Sequence, residues 1–511
     1  MFYSYLKMTF QGFKSFFKKL FERKVTALIS SPAPEVKIKQ RQPSKDELTL
    51  GWAWGIAEEN DERLYQLKGI EQKYRDTHFY IIGASGSGKT KFLEHLIQQD
   101  IENEEGFGVV DPHGDLIEDV KGWLYFNRLN RMDLDEKVVL IEPTNPKATV
   151  SFNPLEKIKG ITPEEQAGEL VEVFKKIWWD SWGARMEDIL RNSLIALSEN
   201  NLTLIELPLL LSDSSVRKRI LKKVQNPTCL QRFREFDSLN PNTRREWVES
   251  TLNKVNAFLS DHRIRQIFTL PKSSFNLRKI IDDKKILLVK LERGRLKGGA
   301  DLLGSLILSK IQMAAFSRTD LSPGKRVPFY LYIDEFQNFA TKSFIETLSE
   351  ARKYRLSLIL AHQNLSQLPK ELRASILANC GTQACFRVSR EDADLLAKEL
   401  LGTLYRQPPG WELNIQSLQE LPSRYCFVKN KAEGGIILIE TPEVPFPWQV
   451  SAQAGGELNG VTEETFKETI ERARMGADYL IDRKKIEKEY QKRYKKLTSA
   501  SGPTIFREPK K

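Results

Sequence analysis

His78-Phe79-Tyr80-Ile81-Ile82-Gly83-Ala84-Ser85-Gly86-Ser87-Gly88-Lys89-Thr90 is the stretch that decides the fold of this 511-residue chain. A short apolar run passes straight into GxxxxGKT, and the following Lys91–Asp100 has helical character. Glycines at 83, 86 and 88 let the backbone wrap an anion. The N–H groups of Gly83, Ala84, Ser85, Gly86, Ser87 and Gly88 then point inward at β- and γ-phosphates. Lys89 adds a point charge, Thr90 offers a hydroxyl to Mg²⁺, and the helix N-terminus contributes its partial positive charge. A glycine-rich loop alone is as easily a tight turn. With a β lead-in and an amphipathic follow-on it reads as a P-loop, and the expected ligands are ATP and Mg²⁺.

A P-loop needs an acidic partner to hold the metal and activate water. Phe329-Tyr330-Leu331-Tyr332-Ile333-Asp334-Glu335 supplies an apolar strand ending in two carboxylates, the Walker B pattern. Asp334 is expected in the Mg²⁺ shell, and Glu335 as the group that polarises the attacking water. The next apolar run, Ser357-Leu358-Ile359-Leu360-Ala361-His362, ends at Gln363. That side chain is read either as a γ-phosphate sensor or as a solvated strand end. Between them, Glu350-Ala351-Arg352-Lys353-Tyr354-Arg355 carries a cationic cluster suited to completing a neighbouring subunit's site as an arginine finger. Arg352 is favoured, with Arg355 and Arg387 as alternates and a surface salt bridge as the plainer reading. Val109-Val110-Asp111-Pro112-His113-Gly114 ends another strand, where Asp111 either faces the nucleotide or holds an Asp-Pro turn. His113 and His362 are read as structural or pocket-edge residues rather than catalytic bases, and His262, among helical residues, has no visible chemistry.

Composition bounds the rest. Hydrophobic content of 40% and charged content of 29% describe a globular protein with room for two or three domains. The net charge of +11 is unevenly spread: residues 1–50 carry +6, residues 481–511 carry +7, and residues 51–480 sum to −2. Basic ends suit nucleic acid or an anionic membrane surface, or are simply solvated. Cys229, Cys380, Cys385 and Cys426 form no CxxC pair, which argues against zinc or a disulfide framework and for a reduced cytoplasmic compartment. No run approaches the roughly 20 apolar residues of a membrane-spanning helix. Lysines interrupt the apolar positions of the N-terminus, so it lacks a signal-peptide pattern.

The expected organisation has five parts. Residues 1–24 form an amphipathic basic helix (Phe2, Leu6, Phe10, Phe13, Phe17 and Leu20 on one stripe), read as an interfacial anchor at the inner face of a membrane or as a docked helix. Residues 25–49 are a linker. Residues 50–155 and 271–445 make an α/β, mostly parallel ATPase domain. Its strands are expected at His78–Gly83, Gly106–Asp111, Val138–Ile141, Ile286–Leu291, Phe329–Ile333, Ser357–Ala361 and Thr382–Val388, followed by a closing hairpin at Arg424–Asn430 and Gly434–Thr441. Residues 156–270 show only helical periodicity and read as an inserted all-α domain. This insertion accounts for the 245-residue gap between Lys89 and Asp334. Residues 446–511 are a helical, basic tail. Trp178, Trp179 and Trp182 are read as packing residues in preference to base-stacking ones.

The ordered set GASGSGKT, VVDPHGDL, SFNPL, WGARMEDILRN, YLYIDEFQNF and LILAHQN resembles the HerA–FtsK superfamily, and within it the type IV secretion coupling proteins of conjugative DNA transfer. The resemblance runs from about Gly51 to Thr441. It implies a RecA-like core with an inserted all-α domain, assembling as a homo-hexameric ring that pumps DNA with ATP. DNA, a membrane or secretion-system component and a relaxase-type cargo protein are the implied partners. It also places Lys89, Thr90, Asp334, Glu335 and Gln363 at the nucleotide, and Arg352 matches the finger position. Coupling proteins usually carry N-terminal transmembrane helices, for which no run here is long enough. Either segment 1–24 replaces them, a membrane partner recruits the chain, or it works in the cytosol. A HerA-like DNA-repair motor and an ATPase that moves protein are the alternatives.

Overall fold

The structure, a computed structural model, describes residues 46–56, 63–126, 131–401, 410–453, 462–473 and 475–498. The expected helix 1–24, all but the last residues of the 25–49 linker, and residues 499–511 lie outside the described residues. Two units partition the chain: residues 1–41 with 54–66, and residues 42–53 with 67–511. Of the first, only 54–56 and 63–66 are described, as strand ends. The second holds the P-loop, the central sheet around it and the helices.

The strands in chain order are β1 (Glu47–Ile56), β2 (Arg63–Glu71), β3 (Phe79–Ile82), β4 (Phe107–Asp111), β5 (Val138–Ile141), β6 (Ala148–Thr149), β7 (Ile286–Lys290), β8 (Phe329–Ile333), β9 (Leu356–His362), β10 (Thr382–Cys385), β11 (Tyr425–Asn430), β12 (Ile436–Glu440) and β13 (Ile481–Asp482). The central sheet runs β1-β12-β11-β10-β3-β9-β8-β4-β7-β5. From β10 to β5 every neighbouring pair is parallel, whereas β11 and β12 close the sheet as an antiparallel hairpin. All residues of β3, β4, β5, β8 and β9 are buried. Strands covered on both faces need apolar side chains at every position, which is why they read as continuous runs. Alternation still sorts them: Phe79 and Ile81 enter one core, Tyr80 and Ile82 the other. The exceptions in β8 are tyrosines. Tyr332 donates to Asp100 at 2.5 Å, and buried Arg75 pairs with Asp100 at 2.6 and 2.8 Å while lying over the Tyr330 ring.

Between Glu156 and Leu270 the chain forms helices and no strand. The helix starts carry their own signals. α1 (Lys89–Glu102) and α2 (Asp115–Phe126) belong to the sheet layer; α3 (Pro163–Ile177) begins the helical stretch with a Thr162–Glu165 capping box and proline in its first turn. α4 (Ala184–Glu199) packs on α3, and α5 (Pro227–Ser238) and α6 (Pro241–Leu259) are each capped by an asparagine before a proline. Trp178 stacks on Phe174 and Trp182 donates to Glu187, as packing residues do, but Trp179 is 78% exposed.

One expectation about the ends needs correction. The linker stops short of residue 49, because β1 already begins at Glu47 and buries Leu48 and Leu50. Where it is described, the C-terminal segment is largely helical and docked. β13 pairs with β6, and α7 (Arg483–Thr498) buries Ile486 and sends Arg493 to the Thr269 carbonyl and to Glu206. No described helix is long and apolar enough to cross a membrane. The four cysteines are buried and unpaired with one another.

Candidate active site

Strand order brings the chemistry together. β3, β9 and β8 are consecutive neighbours, so the P-loop, Gln363 and Asp334–Glu335 emerge side by side from one edge of the sheet. This carboxyl-end edge is where parallel α/β sheets bind ligands. At about 4.8 Å per strand, P-loop and Walker B lie roughly 10 Å apart, with Gln363 between them.

The loop itself is tightly built. A Cβ on Gly83 would stand 2.5 Å from the Phe386 Cβ, so only glycine fits there; Gly88 has φ +108, a region side chains disfavour. Gly88 opens α1 and no side chain caps that end, which leaves its first N–H groups available to an anion. Lys89 turns its Nζ back onto the carbonyls of Gly83 (2.6 Å) and Ala84 (3.1 Å). Burial lowers its pKa, and the charges of Glu335 and Asp334 work the other way. The Ser87 hydroxyl is buried and has no partner among the described residues, Gly86 has open space around it, and Thr90 is exposed. An uncapped helix start, an open glycine turn and a lysine beside it fit a nucleotide's phosphates.

On the acidic side, burial first and then the negative charges of Asp111 and Glu335 push Asp334 up to about 7. The Glu335 N–H donates to Asp334 at 3.0 Å. Glu335 sits at φ 45, a strained left-handed conformation that swings its carboxylate off the strand axis. There Gln363 Nε2 donates to Oε1 at 2.5 Å and Gln337 Nε2 to Oε2 at 2.7 Å. No cluster of three His, Cys, Asp or Glu side chains suited to a metal occurs among the described residues. A Mg²⁺ held by one or two protein oxygens together with phosphate oxygens needs no such cluster.

Asp111 stands one strand beyond Walker B, and its two oxygens accept the N–H groups of His113 (2.8 Å) and Ile117 (3.2 Å). It therefore holds the turn and reaches the site through its charge on Asp334. His362 is fully buried, held at 2.5 Å by the Tyr80 hydroxyl and pushed down to about 3 by desolvation and then by Lys89. The three arginine candidates separate cleanly. Arg387 lies beside its own P-loop, where its carbonyl accepts from Ala84 N at 2.7 Å; Arg355 caps a turn and pairs with Asp76 at 2.7 Å. Arg352 is exposed at the amino end of β9. Seven strand residues, roughly 23 Å at 3.3 Å each, separate it from the Gln363 end of its own subunit.

Sequence reasoning missed the strap over the loop. Ser423 Oγ donates to the Gly86 carbonyl at 3.0 Å and Arg424 N to the Ser87 carbonyl at 2.9 Å. Only the hairpin's position beside β10 brings residues so distant in sequence to the P-loop. Lys176, in α3, donates to the Asn338 carbonyl just past Walker B, and burial pushes its amine down to about 7.

No curated protein matches the chain. Among solved structures, the bacterial conjugative coupling protein TrwBdeltaN70 has a similar fold, with a TM-score of 0.51 at 16% identity over 80% of this chain and 90% of that one. The plasmid coupling protein TrwB in complex with the ATP analogue ADPNP gives 0.52 at 15% identity over 74% and 88%. VirB4 of Thermoanaerobacter pseudethanolicus gives 0.50 at 13% identity over 80% and 100%. The model of the type IV secretion-system coupling protein DNA-binding domain matches residues 67–404, from just before the P-loop strand to beyond Gln363. On that match, which takes in both Walker motifs and the helices between them, the chain belongs to the family of type IV secretion-system coupling protein DNA-binding domains.

Proposed function

We propose that the protein is an ATP-driven motor of the conjugative coupling type that moves DNA as a homo-hexameric ring. The observation that carries the reading is the direct Gln363–Glu335 contact one strand away from Lys89. Lys89, released from the Gly83 and Ala84 carbonyls, is placed to hold the β- and γ-phosphates together with the loop N–H groups. Glu335, oriented by Gln363 and Gln337, accepts a proton from water at its carboxylate. Gln363 is thereby positioned to sense the γ-phosphate and pass its presence to the Walker B loop. Mg²⁺, when bound, supplies charge neutralisation at the phosphate oxygens, with Thr90 and Asp334 as its protein ligands. Arg352 faces away from its own site and is assigned to the next subunit's, where it would offset negative charge on the transferred phosphoryl group. A secretion-system component and a relaxase-type protein attached to the DNA fit the same reading as partners.

The test is a comparison of Glu335→Gln with the parent protein. The variant is expected to bind ATP with near-parent affinity while hydrolysis falls by about 10²-fold or more. Near-normal turnover would remove Glu335 from the water-activating role.

A further inference from the structure

Helix α7 presents two different faces. Each residue advances about 100° around a helix, so Arg483, Ile486, Tyr490, Arg493, Tyr494 and Leu497 share one side, an arc of about 100°. That side is docked. Arg483 donates to the Asn145 carbonyl at 2.7 Å, Arg265 lies over the Tyr490 ring, the Leu497 carbonyl accepts from Arg219, and Tyr494 packs against the core. Lys484, Lys485, Lys488, Lys492, Lys495 and Lys496 fall within the opposite arc of about 120°, and all six are exposed. The helix's two acidic residues flank this stripe. Glu487 accepts from Gln266 and Gln491, and Glu489 is 3.9 Å from Lys492. Among the described residues no other ammonium group of the six pairs with a carboxylate, and Asp482, just before the helix, accepts the backbone N–H groups of Lys484 and Lys485.

We propose that this lysine stripe is a binding surface for the phosphate backbone of a nucleic acid. The stripe runs from 484 to 496, roughly 18 Å at 1.5 Å per residue. Along one DNA strand that length spans roughly five phosphates at about 3.4 Å each. Six cations on a rigidly docked helix match such a repeating polyanion without reading its sequence. An anionic membrane is the poorer fit: interfacial helices insert their apolar face, and here that face is docked on the protein, with Ile486 buried and Tyr490, Tyr494 and Leu497 half-buried. A protein partner is poorer too, because the stripe offers no aromatic or aliphatic anchor at its centre. The helix lies outside the matched family domain, and the surface rests on the DNA-motor reading for its purpose though not for its chemistry.

The experiment uses full-length protein carrying Lys484→Gln, Lys488→Gln, Lys492→Gln and Lys495→Gln together, which leaves the docked face intact. Binding of fluorescent single-stranded and duplex oligonucleotides is followed by anisotropy between about 50 and about 200 mM salt. The variant is expected to lose roughly tenfold or more in affinity, and its slope of log K against log salt should shrink by about 2 to 4. Its ATPase rate without DNA should equal the parent's. Superimposable curves for parent and variant, or a parent that binds phosphatidylserine vesicles and no oligonucleotide, overturn the proposal. The motor reading fails on a separate result, a parent that binds DNA but whose ATPase ignores it.

Discussion

Asp334 keeps its proton up to about pH 7 because it is buried beside Asp111 and Glu335. A carboxyl with a raised folded pKa favours the folded state fully below its unfolded pKa of about 4 and loses that contribution as pH rises through about 7. Asp334→Asn should therefore be more stable than the parent at pH 8 by about 4 kcal/mol, a difference that shrinks as pH falls from about 7 and is gone only below about pH 4. Urea unfolding without nucleotide or Mg²⁺ reads this directly, and equal stability at both pH values would contradict it. Lys89 is legible in the sequence because it closes a glycine loop, and Asp334, Glu335 and Gln363 because they follow the ends of apolar runs. Gln337, Ser423 and Arg424 are not, since their contacts exist only after β8 and β11 take their places in the sheet.

Among elements, the parallel strands are readable to within a residue or two, because full burial makes them mostly apolar, except β10, which ends at Cys385, three residues before the expected Val388. β1 is obscured by the proline- and serine-rich composition just before it. β13 is two residues long, too short for any periodicity, and forms because β6 offers it an edge. Its continuation α7 reads as a helix, but its docking depends on distant partners. Arg493 meets Glu206, a buried carboxylate that also accepts from the N–H and hydroxyl of Thr203. Arg493→Ala removes one member of that buried pair and should weaken docking of α7 by roughly 3 kcal/mol. Amides of 486–498 should then exchange hydrogen much faster while those of β3 and β9 keep their protection. Unchanged exchange in α7 would show that the pair does not hold the helix. Lys176 joins α3 to the carbonyl just past Walker B, which gives the helical region a physical link to the nucleotide site.

At the scale of the whole molecule, each subunit carries Lys89, Gln363 and Glu335 on one sheet edge and Arg352 at the other. On the proposed reading, Arg352 serves a neighbour's site. Arg352→Ala and Lys89→Ala subunits, each inactive alone, should recover a measurable fraction of parent ATPase when mixed, since some interfaces then hold an intact Lys89 opposite an intact Arg352. Mixed rings that form and stay inactive would argue against a finger in trans. The central claim is a ring motor that spends ATP on DNA, and its most direct test is the ATPase rate of size-fractionated parent protein alone, with single-stranded DNA and with duplex. Stimulation by at least one DNA form, confined to the hexamer-sized fraction, is the expected result. A rate indifferent to both forms in every fraction would contradict it.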